Sequence, residues 1–277
     1  MRRFVYGLAA VSLLVPLPMG AVAQTQQQAN WCVGKDGATL DQKISGCTAV
    51  IKAGKFTRQN LAIAYNNRGV AWVDKKDYDR AIGDYDQAIK LDSQYAAAYD
   101  NRGNAWDKKK NHDRAIADHS EAIKLNPQFA LAYYNRGISW AAKGDHDRAI
   151  ADYSEAIRLN PQYAAAYYNR GNAWDDKKDY DRAIADYDQA IRHNPQYVAA
   201  YNNRGNAWHK KNDYDRAIGD YDQAIRLDPQ YAFAYYNRGR AWEAKNDRVR
   251  AIADFSESNR LNPNDPDVIA KLKALKQ

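Results

Sequence analysis

The sequence contains little of what a metal centre, a phosphate-binding surface or a membrane domain requires. Only two of its 277 residues are cysteine, which is too few to hold a metal ion by themselves. Lysine and arginine are interleaved with acidic residues and never form a block, so the clustered positive charge that tracks nucleic acid is missing. After residue 23 no segment is apolar enough to span a bilayer, and none alternates as a strand does. We therefore expect neither nucleic-acid binding nor a β-sheet domain.

The first 23 residues differ in kind from the rest. Arg2 and Arg3 precede an apolar run, and Ala21-Val22-Ala23 forms a small-residue cleavage site. This order predicts a secretory signal peptide over residues 1–23. The competing interpretation is an uncleaved membrane anchor; both place the rest of the chain outside the cytoplasm, in the periplasm or the medium. After cleavage we expect no stable membrane insertion, and the formal charge of +7 would fall to +5.

The two cysteines, Cys32 and Cys47, are expected to form a disulfide. An even number of cysteines at short spacing in an exported chain favours a bridge. Closing a loop of this size stabilises the fold by ~3 kcal/mol, chiefly by restricting the unfolded chain. A redox pair or a metal site is the weaker alternative.

The chain repeats itself with a period of 34 residues. The tripeptide Asn-Arg-Gly recurs six times, with its glycine at Gly69, Gly103, Gly137, Gly171, Gly205 and Gly239. A period of this length indicates a stack of identical supersecondary units. Counted from Ala62, the units are 62–95, 96–129, 130–163, 164–197, 198–231 and 232–265.

Each unit contains two helical patterns. In the fourth, Tyr167, Arg170, Gly171 and Trp174 are spaced i, i+3, i+4, i+7, which places them on one face of a helix. The second helix is expected to begin after Asp179, because a short carboxylate there can accept hydrogen bonds from the free N–H groups of the first turn.

The segments on either side of the repeats have other patterns. Residues 24–61 are expected to form a polar linker, 24–30, followed by a cap that contains the disulfide. Residues 266–277 predict a C-terminal capping helix. Its apolar face is expected to comprise Val268, Ile269, Leu272 and Leu275.

These patterns resemble the tetratricopeptide repeat (TPR). The fourth unit matches the TPR signature at Tyr167, Gly171, Trp174, Ala183, Tyr187, Ala190 and Pro195. The match recurs in phase over residues 62–265 and is similar to the exported, Asn-Arg-Gly-rich type found in bacteria. The resemblance implies an all-α fold, a right-handed superhelical solenoid of helix-turn-helix repeats.

Every repeat departs from the TPR signature in carrying an arginine before the glycine. An aspartate follows 16 residues later in each unit. The pairs are Arg68 and Asp84, Arg102 and Asp118, Arg136 and Asp152, Arg170 and Asp186, Arg204 and Asp220, and Arg238 and Asp254. Because a half-buried arginine without a partner is costly, we expect each to pair across its helix hairpin or with an adjacent unit. The alternative is that both side chains face water.

No catalytic constellation is found. The sequence has no glycine-rich phosphate loop, no Gly-x-Ser-x-Gly elbow and no His-Glu-x-x-His pair. The histidines His112, His119, His146, His193 and His209 occupy repeat positions that hold other residues elsewhere, and we interpret them as drift between repeats. The sequence therefore predicts no enzyme, no metal and no cofactor.

The candidate partner-binding surface is the side of each first helix that faces away from the Tyr and Trp core. Each unit carries one asparagine there: Asn67, Asn101, Asn135, Asn169, Asn203 and Asn237. In TPR proteins this side lines the concave groove, and a carboxamide can pair with a peptide group through both its donor and its acceptor. The alternative is an inherited residue that bonds to water or to its neighbours.

The third and fourth units present the most apolar part of the predicted groove. Leu131, Tyr134, Ile138 and Tyr168 are our candidates for a hot spot, because tyrosine is a favoured anchor at interfaces. The sequence therefore predicts an exported scaffold that binds proteins or peptides. The alternatives are a self-associating structural protein of the envelope and a polysaccharide-binding accessory.

Overall fold

The computed structural model describes residues 19–35 and 37–276. The described residues fall into two compact units, unit 1 ending at Lys143 and unit 2 beginning at Gly144. Of the predicted signal peptide, residues 1–18 lie outside the described residues. The helices of unit 1 are α1 (Met19–Cys32), α2 (Leu40–Lys52), α3 (Arg58–Asp74), α4 (Tyr78–Leu91), α5 (Ala96–Lys108), α6 (His112–Leu125) and α7 (Ala130–Ala142).

Unit 2 is built in the same way. Its helices are α8 (His146–Leu159), α9 (Ala164–Asp176), α10 (Tyr180–His193), α11 (Val198–Lys210), α12 (Tyr214–Leu227), α13 (Ala232–Ala244), α14 (Arg248–Leu261) and α15 (Pro266–Lys276). The part of the chain that the structure describes contains no strand, so the predicted all-α class is confirmed. Within that part no helix has the length and apolar character needed to cross a membrane.

Every second helix begins at a side-chain cap. The Asp179 carboxylate accepts a hydrogen bond from the backbone N–H of Arg182 at 3.1 Å, as its position predicts. The same cap recurs at Asp77, Asn111, Asp145, Asp213 and Asp247. A capped N–H is not left unsatisfied, so the boundary between the two helices of a repeat is fixed locally.

The two helices of a repeat approach closely where the first carries glycine. A Cβ atom added at Gly171 would lie 2.8 Å from Cε1 of Tyr187, and one added at Gly69 would lie 2.6 Å from Cε1 of Tyr85. Both tyrosines are almost completely buried. The missing side chain therefore makes the space that the aromatic ring of the second helix fills.

In five repeats the arginine before the glycine joins the two helices of its own repeat. Arg170 donates from Nε and Nη2 to the two carboxylate oxygens of Asp186, at 2.8 and 2.7 Å. The same bidentate pair joins Arg68 to Asp84, Arg102 to Asp118, Arg204 to Asp220 and Arg238 to Asp254. The predicted pairing across the helix hairpin is confirmed in these five repeats.

The third donor of the guanidinium reaches the preceding segment. Nη1 of Arg170 donates to Ser154 at 2.9 Å, and Nη1 of Arg102 donates to Asp86 at 2.5 Å. Burial alone would lower the pKa of Arg102, but hydrogen bonds and charge from Asp118 and Asp86 raise its pKa. The arginine thus stabilises both the hairpin within a repeat and the stacking of one repeat on the next.

The N-terminal cap differs from the expectation in one respect. Residues 24–30, predicted as a linker, lie inside α1. Glutamine and alanine are good helix formers, and α1 packs closely on α2, because a Cβ atom at Gly46 would lie 2.5 Å from the Gln28 carbonyl oxygen. The predicted disulfide joins Cys32 at the end of α1 to Cys47 on α2.

The C-terminal helix α15 covers the end of the last repeat. Val268 is buried and packs with Leu272 and Leu275 against Phe255. Ile269, which we expected on the same face, is instead 47% exposed. Residues 268, 272 and 275 follow the i, i+4, i+7 stripe of one face, and residue 269 lies a quarter-turn away from it.

Candidate partner-binding face

The predicted site residues lie on the first helices of the repeats, which pack side by side within each unit: α3, α5 and α7 in unit 1, and α9, α11 and α13 in unit 2. We call the second, fifth, sixth and ninth positions of each repeat, counted from Ala62, the first-helix face. Some of these positions are buried between neighbouring helices and others are exposed. Only the exposed positions can contact a partner.

Most of the predicted asparagine row is buried. Asn67, Asn101, Asn135 and Asn237 are each 8% exposed or less, whereas Asn169 and Asn203 are half-buried. Such burial does not support the proposed contact between these four carboxamides and a peptide backbone. It agrees with the alternative in which the asparagine bonds to its neighbours.

The amide groups of the row bond to the preceding repeat. Asn101 Nδ2 donates to Asn66 Oδ1 at 2.9 Å, and Asn237 Nδ2 donates to Asn202 Oδ1 at 3.0 Å. Asn135 Nδ2 lies 3.1 Å from both carboxylate oxygens of Asp100. Each partner lies 35 residues earlier, so the row is a ladder of side-chain bonds between stacked first helices. The spacing of residues along one helix does not predict this ladder, because the bonding partners lie on the first helix of the neighbouring repeat.

The four apolar candidates are placed differently in the two units. In unit 1, Leu131 and Ile138 are partly exposed and Tyr134 is buried. In unit 2, Tyr168 is half-buried, and its hydroxyl accepts a hydrogen bond from Asn203 Nδ2 at 3.0 Å. Leu131, Ile138 and Tyr168 therefore remain available for contact, whereas Tyr134 contributes to the core.

Unit 2 carries an aromatic patch that we define as Tyr168, Tyr197, Tyr231 and Phe233. The rings of Tyr168 and Tyr197 are 4.8 Å apart, and those of Tyr231 and Phe233 are 5.8 Å apart in an edge-on arrangement. Burial, together with the nearby Tyr168, raises the pKa of Tyr231. The patch is thus a set of rings in contact with one another, with the Asp228 carboxylate near Tyr231.

Phe233 is the most exposed member of this patch, at 59%. It lies at the second position of its repeat, where the other units carry Ile63, Ala97, Leu131, Ala165 and Ala199. Our sequence interpretation did not include it. Comparing the repeats position by position gives the signal, because this repeat alone has an aromatic side chain there.

Two further side chains share the exposed face of α13 with Phe233. Tyr236 is half-buried, and Arg240 is exposed with its guanidinium carbon 5.9 Å from the centre of the Tyr236 ring. Within the described part of the chain no carboxylate lies within 4.0 Å of Arg240. Glu243, one turn on, pairs instead with Lys271 at 2.6 Å. Arg240 therefore offers an unpaired positive charge.

The tryptophans are covered by cations. The guanidinium carbon of Arg182 lies 3.7 Å from the centre of the Trp174 ring. The same contact joins Arg80 to Trp72, Arg114 to Trp106, Arg216 to Trp208 and Arg250 to Trp242. A ring face occupied by guanidinium is closed to a sugar, so these five tryptophans do not favour polysaccharide binding.

His119 lies in a buried polar cluster. Its Nδ1 is 2.8 Å from Asp100 Oδ1, and its Nε2 is 3.6 Å from Asp107 Oδ2. Asp107 also accepts a hydrogen bond from Ser139 Oγ at 2.6 Å and lies 2.9 Å from His112 Nδ1. The carboxylate oxygens are thereby occupied by donors of the protein. His119, which we interpreted as drift, belongs to a set of linked side chains in the second and third repeats.

The charges of this cluster are coupled. Burial alone would lower the pKa of His119, but its hydrogen bond to Asp100 and the negative charges of Asp100 and Asp107 raise the pKa to about 9. Burial would raise the pKa of Asp107, but the hydrogen bonds from Ser139 and His112 and the nearby charge of His119 lower it. Across residues 19–35 and 37–276, no three His, Cys, Asp or Glu side chains are arranged to hold a metal ion. The cluster thus links α5 to α6 by ion pairing, and α5 to α7 by the hydrogen bond from Ser139.

Comparison with protein families identifies the repeats. The tetratricopeptide-repeat family matches residues 62–95 and 96–129, and again 168–232 and 210–266; the TPR repeat matches residues 139–174. Together the matches cover most of the chain from residue 62 to residue 266. No curated protein sequence matches the chain.

Solved structures share the fold at low sequence identity. A tetratricopeptide repeat protein from Parabacteroides merdae has a TM-score of 0.65 at 18% identity, covering 91% of this chain and 100% of its own. Pseudomonas aeruginosa pilF has a TM-score of 0.68 at 18% identity, covering 79% and 98%.

A third structure is described as YrrB, a TPR protein with an unusual peptide-binding site. Its TM-score is 0.56 at 23% identity, covering 68% of this chain and 95% of its own. At these identities the likeness concerns the fold alone. With the paired helices, the 34-residue period and the family matches in agreement, the chain belongs to the tetratricopeptide-repeat family.

Proposed function

We propose that the protein is an exported scaffold that binds extended segments of partner proteins on its first-helix face. The TPR fold is typical of protein–protein interaction, and YrrB is described as having a peptide-binding site. The proposed activity is binding without catalysis or cofactor. The first-helix face of each unit would contact the partner.

One observation carries this proposal: the first-helix face presents an accessible apolar side chain in nearly every repeat. At the second position of the repeat, Ile63, Leu131, Ala165 and Ala199 are partly exposed and Phe233 is exposed. Contacts repeated at the period of the array suit a long, extended ligand better than a compact one. The polar atoms between them are largely paired within the protein, so affinity would come from apolar contact.

The proposed location outside the cytoplasm rests on two features. The first 23 residues have the order of a signal peptide, and Cys32 and Cys47 form a disulfide, which persists in oxidising compartments. Fractionation of cells that make the whole chain tests the location. Recovery of the oxidised protein from periplasm or medium is expected; recovery of a reduced protein from cytoplasm would contradict export.

Affinity capture tests the binding face. The tagged protein, purified from its source organism, would be compared with Leu131→Glu/Tyr168→Glu/Phe233→Glu. The matched control is Val249→Glu/Ile269→Glu, because Val249 is 80% and Ile269 47% exposed outside the first-helix face. We expect the control to recover the same partner and the face variant to lose it about tenfold or more.

The same variants separate the proposal from self-association. Equal partner recovery by the face variant and the control would overturn binding at this face. Light scattering over a range of dilutions gives the other readout. If the protein forms a stable oligomer and the three face substitutions dissociate it, the result would favour the self-associating structural protein over partner binding.

A further inference from the structure

The exposed face of α13 carries two unlike groups at a defined separation. Phe233 and Arg240 are seven residues apart, which is two turns, so both point from the same side of the helix. At 1.5 Å per residue the two positions are about 10 Å apart along the axis. The Tyr236 ring lies between them on this face. An apolar contact and a positive charge are thus presented side by side at a fixed spacing.

Both groups depart from the other repeats. Phe233 replaces a smaller aliphatic residue, and Arg240 stands where the other five units carry Val70, Asn104, Ile138, Asn172 and Asn206. The core of this repeat needs neither change, because Phe233 is 59% exposed and Arg240 is exposed too. Neither residue has a counterion or a burial role that accounts for it. Both side chains are therefore available to contact a partner.

We propose that this face of α13 selects a partner segment with an aromatic or large aliphatic side chain and, three residues along, an aspartate or glutamate. The proposal rests on the proposed function and names the chemistry of its ligand. The apolar side chain packs against Phe233 and Tyr231. The acidic side chain pairs with the guanidinium of Arg240.

The three-residue spacing follows from backbone geometry. In a polyproline II segment, residues i and i+3 lie on the same side and are about 9 Å apart. This distance of about 9 Å is close to the separation of about 10 Å between Phe233 and Arg240 along α13, and the flexible arginine side chain can cover the difference. A β-strand instead places i and i+2, about 7 Å apart, or i and i+4, about 13 Å apart, on one side. The aromatic patch also suits this conformation, since aromatic-lined grooves bind polyproline II segments.

Charge complementarity selects the acid over other side chains. Among the described residues no carboxylate pairs with Arg240, whereas Lys210 of the neighbouring first helix is paired with Asp175 at 2.6 Å. An exposed pair contributes modestly, so the acid should change affinity about fivefold. The apolar anchor should matter more, about tenfold or above.

Peptide selection with the full chain tests the proposal. A library of random twelve-residue peptides would be selected against wild type, Phe233→Ala, Tyr168→Glu, Arg240→Glu and Arg240→Lys. The matched controls are Val249→Ala and Arg248→Glu, an exposed apolar and an exposed basic residue on α14 of the same repeat. Melting by circular dichroism confirms that each variant folds. A series of peptides then places the acid one to five residues after the apolar side chain. Fluorescence anisotropy measures the affinity of each peptide and so identifies the preferred spacing.

The expected result has three parts. Wild type, Arg240→Lys and both controls enrich an acid three residues from an apolar side chain. Arg240→Glu instead enriches lysine or arginine at that place. Phe233→Ala weakens all selected peptides about tenfold.

Other results would overturn the proposal and distinguish it from the broader function. If peptides bind and Tyr168→Glu releases them, but no acid is enriched or Arg240→Glu selects the same peptides, the inference fails and the binding face stands. If no peptide binds, or binding ignores both Phe233 and Tyr168, the proposed function fails as well. A dimer that forms without peptide and that Phe233→Ala dissociates would assign the face to a second copy of the chain.

Discussion

Arg170 and Asp186 are joined by two parallel hydrogen bonds between the first and the second helix of one repeat. Their side chains are only 21% and 8% exposed. At this position the TPR signature places a large apolar residue, so an ion pair replaces hydrophobic packing. A planar guanidinium satisfies both carboxylate oxygens and still has a donor for Ser154.

The first prediction concerns this pair. Arg170→Ala should lower the free energy of unfolding by about 3 kcal/mol, because it leaves the Asp186 carboxylate buried without a partner. Replacing both residues by leucine should recover most of the loss. Urea unfolding followed by circular dichroism measures both changes. Arg182→Ala is the control, since Arg182 is 60% exposed in its pair with Asp179, and its effect should be much smaller. Equal losses for the two arginines would show that the pair adds nothing beyond a surface contact.

The second prediction compares two glycines. Gly171→Ala should destabilise the protein by about 2 kcal/mol, because the new Cβ would lie 2.8 Å from the buried Tyr187 ring. Gly219→Ala should stabilise it by about 1 kcal/mol, because nothing lies within 4 Å and alanine favours a helix. Thermal melting measures the melting temperature of each protein, which should be highest for Gly219→Ala, intermediate for wild type and lowest for Gly171→Ala. A Gly171→Ala variant as stable as wild type would contradict the close helix approach.

The third prediction concerns the turn between the helices of a repeat. Lys178 has a φ of 62°, and Gly144 occupies the equivalent position with a φ of 79°. Lys178→Gly should raise the free energy of unfolding by about 1 kcal/mol, because the left-handed region is strained for a residue with a Cβ. Gly144→Ala should lower it by a similar amount; a Cβ there meets no atom within 4 Å, so strain is the only cost. Chemical denaturation measures both changes. A Lys178→Gly variant less stable than wild type together with a Gly144→Ala variant more stable would refute the strain argument.

The fourth prediction is a pH dependence set by His119. Because its folded pKa is about 9, above the ordinary 6.5, the imidazolium stabilises the fold fully below pH 6.5. That contribution decreases as pH rises and is lost above pH 9. It is on the order of 3 kcal/mol. The difference in unfolding free energy between wild type and His119→Gln should therefore shrink from pH 6 to pH 10.

His193→Gln is the control for this dependence. His193 is exposed, so its replacement removes a histidine without removing a buried ion pair. A difference between wild type and His119→Gln that stays constant over the range would contradict the ion pairing with Asp100 and Asp107.

The sequence predicts the features that repeat. The 34-residue period, the cap at Asp179 and the pairing of Arg170 with Asp186 are each determined by residues within one or two units. Their spacing on a helix is enough to place them. These features recur in the structure because every repeat satisfies the same local geometry.

Features that depend on a neighbour could not be predicted. Asn135 looks outward on its own helix, yet α5 covers it and Asp100 binds its amide. His119 was interpreted as drift because its partners Asp100 and Asp107 lie on another helix, and Asp107 is in turn bonded to Ser139 on a third helix. Phe233 stands out as the one aromatic residue at the second position of a repeat, but a single unit does not show whether its ring is buried or exposed. In each case the deciding quantity is how one helix packs on the next.

Site-specific photocrosslinking in living cells tests the central claim most directly. A photoreactive amino acid would replace Tyr168, Leu131 or Phe233 on the first-helix face, and Val249 or Ile269 outside it. Illumination should join the first three positions to the same discrete partner, identified by mass spectrometry, and leave the last two without it. Partner adducts at Val249 and Ile269 with none on the first-helix face would contradict the account.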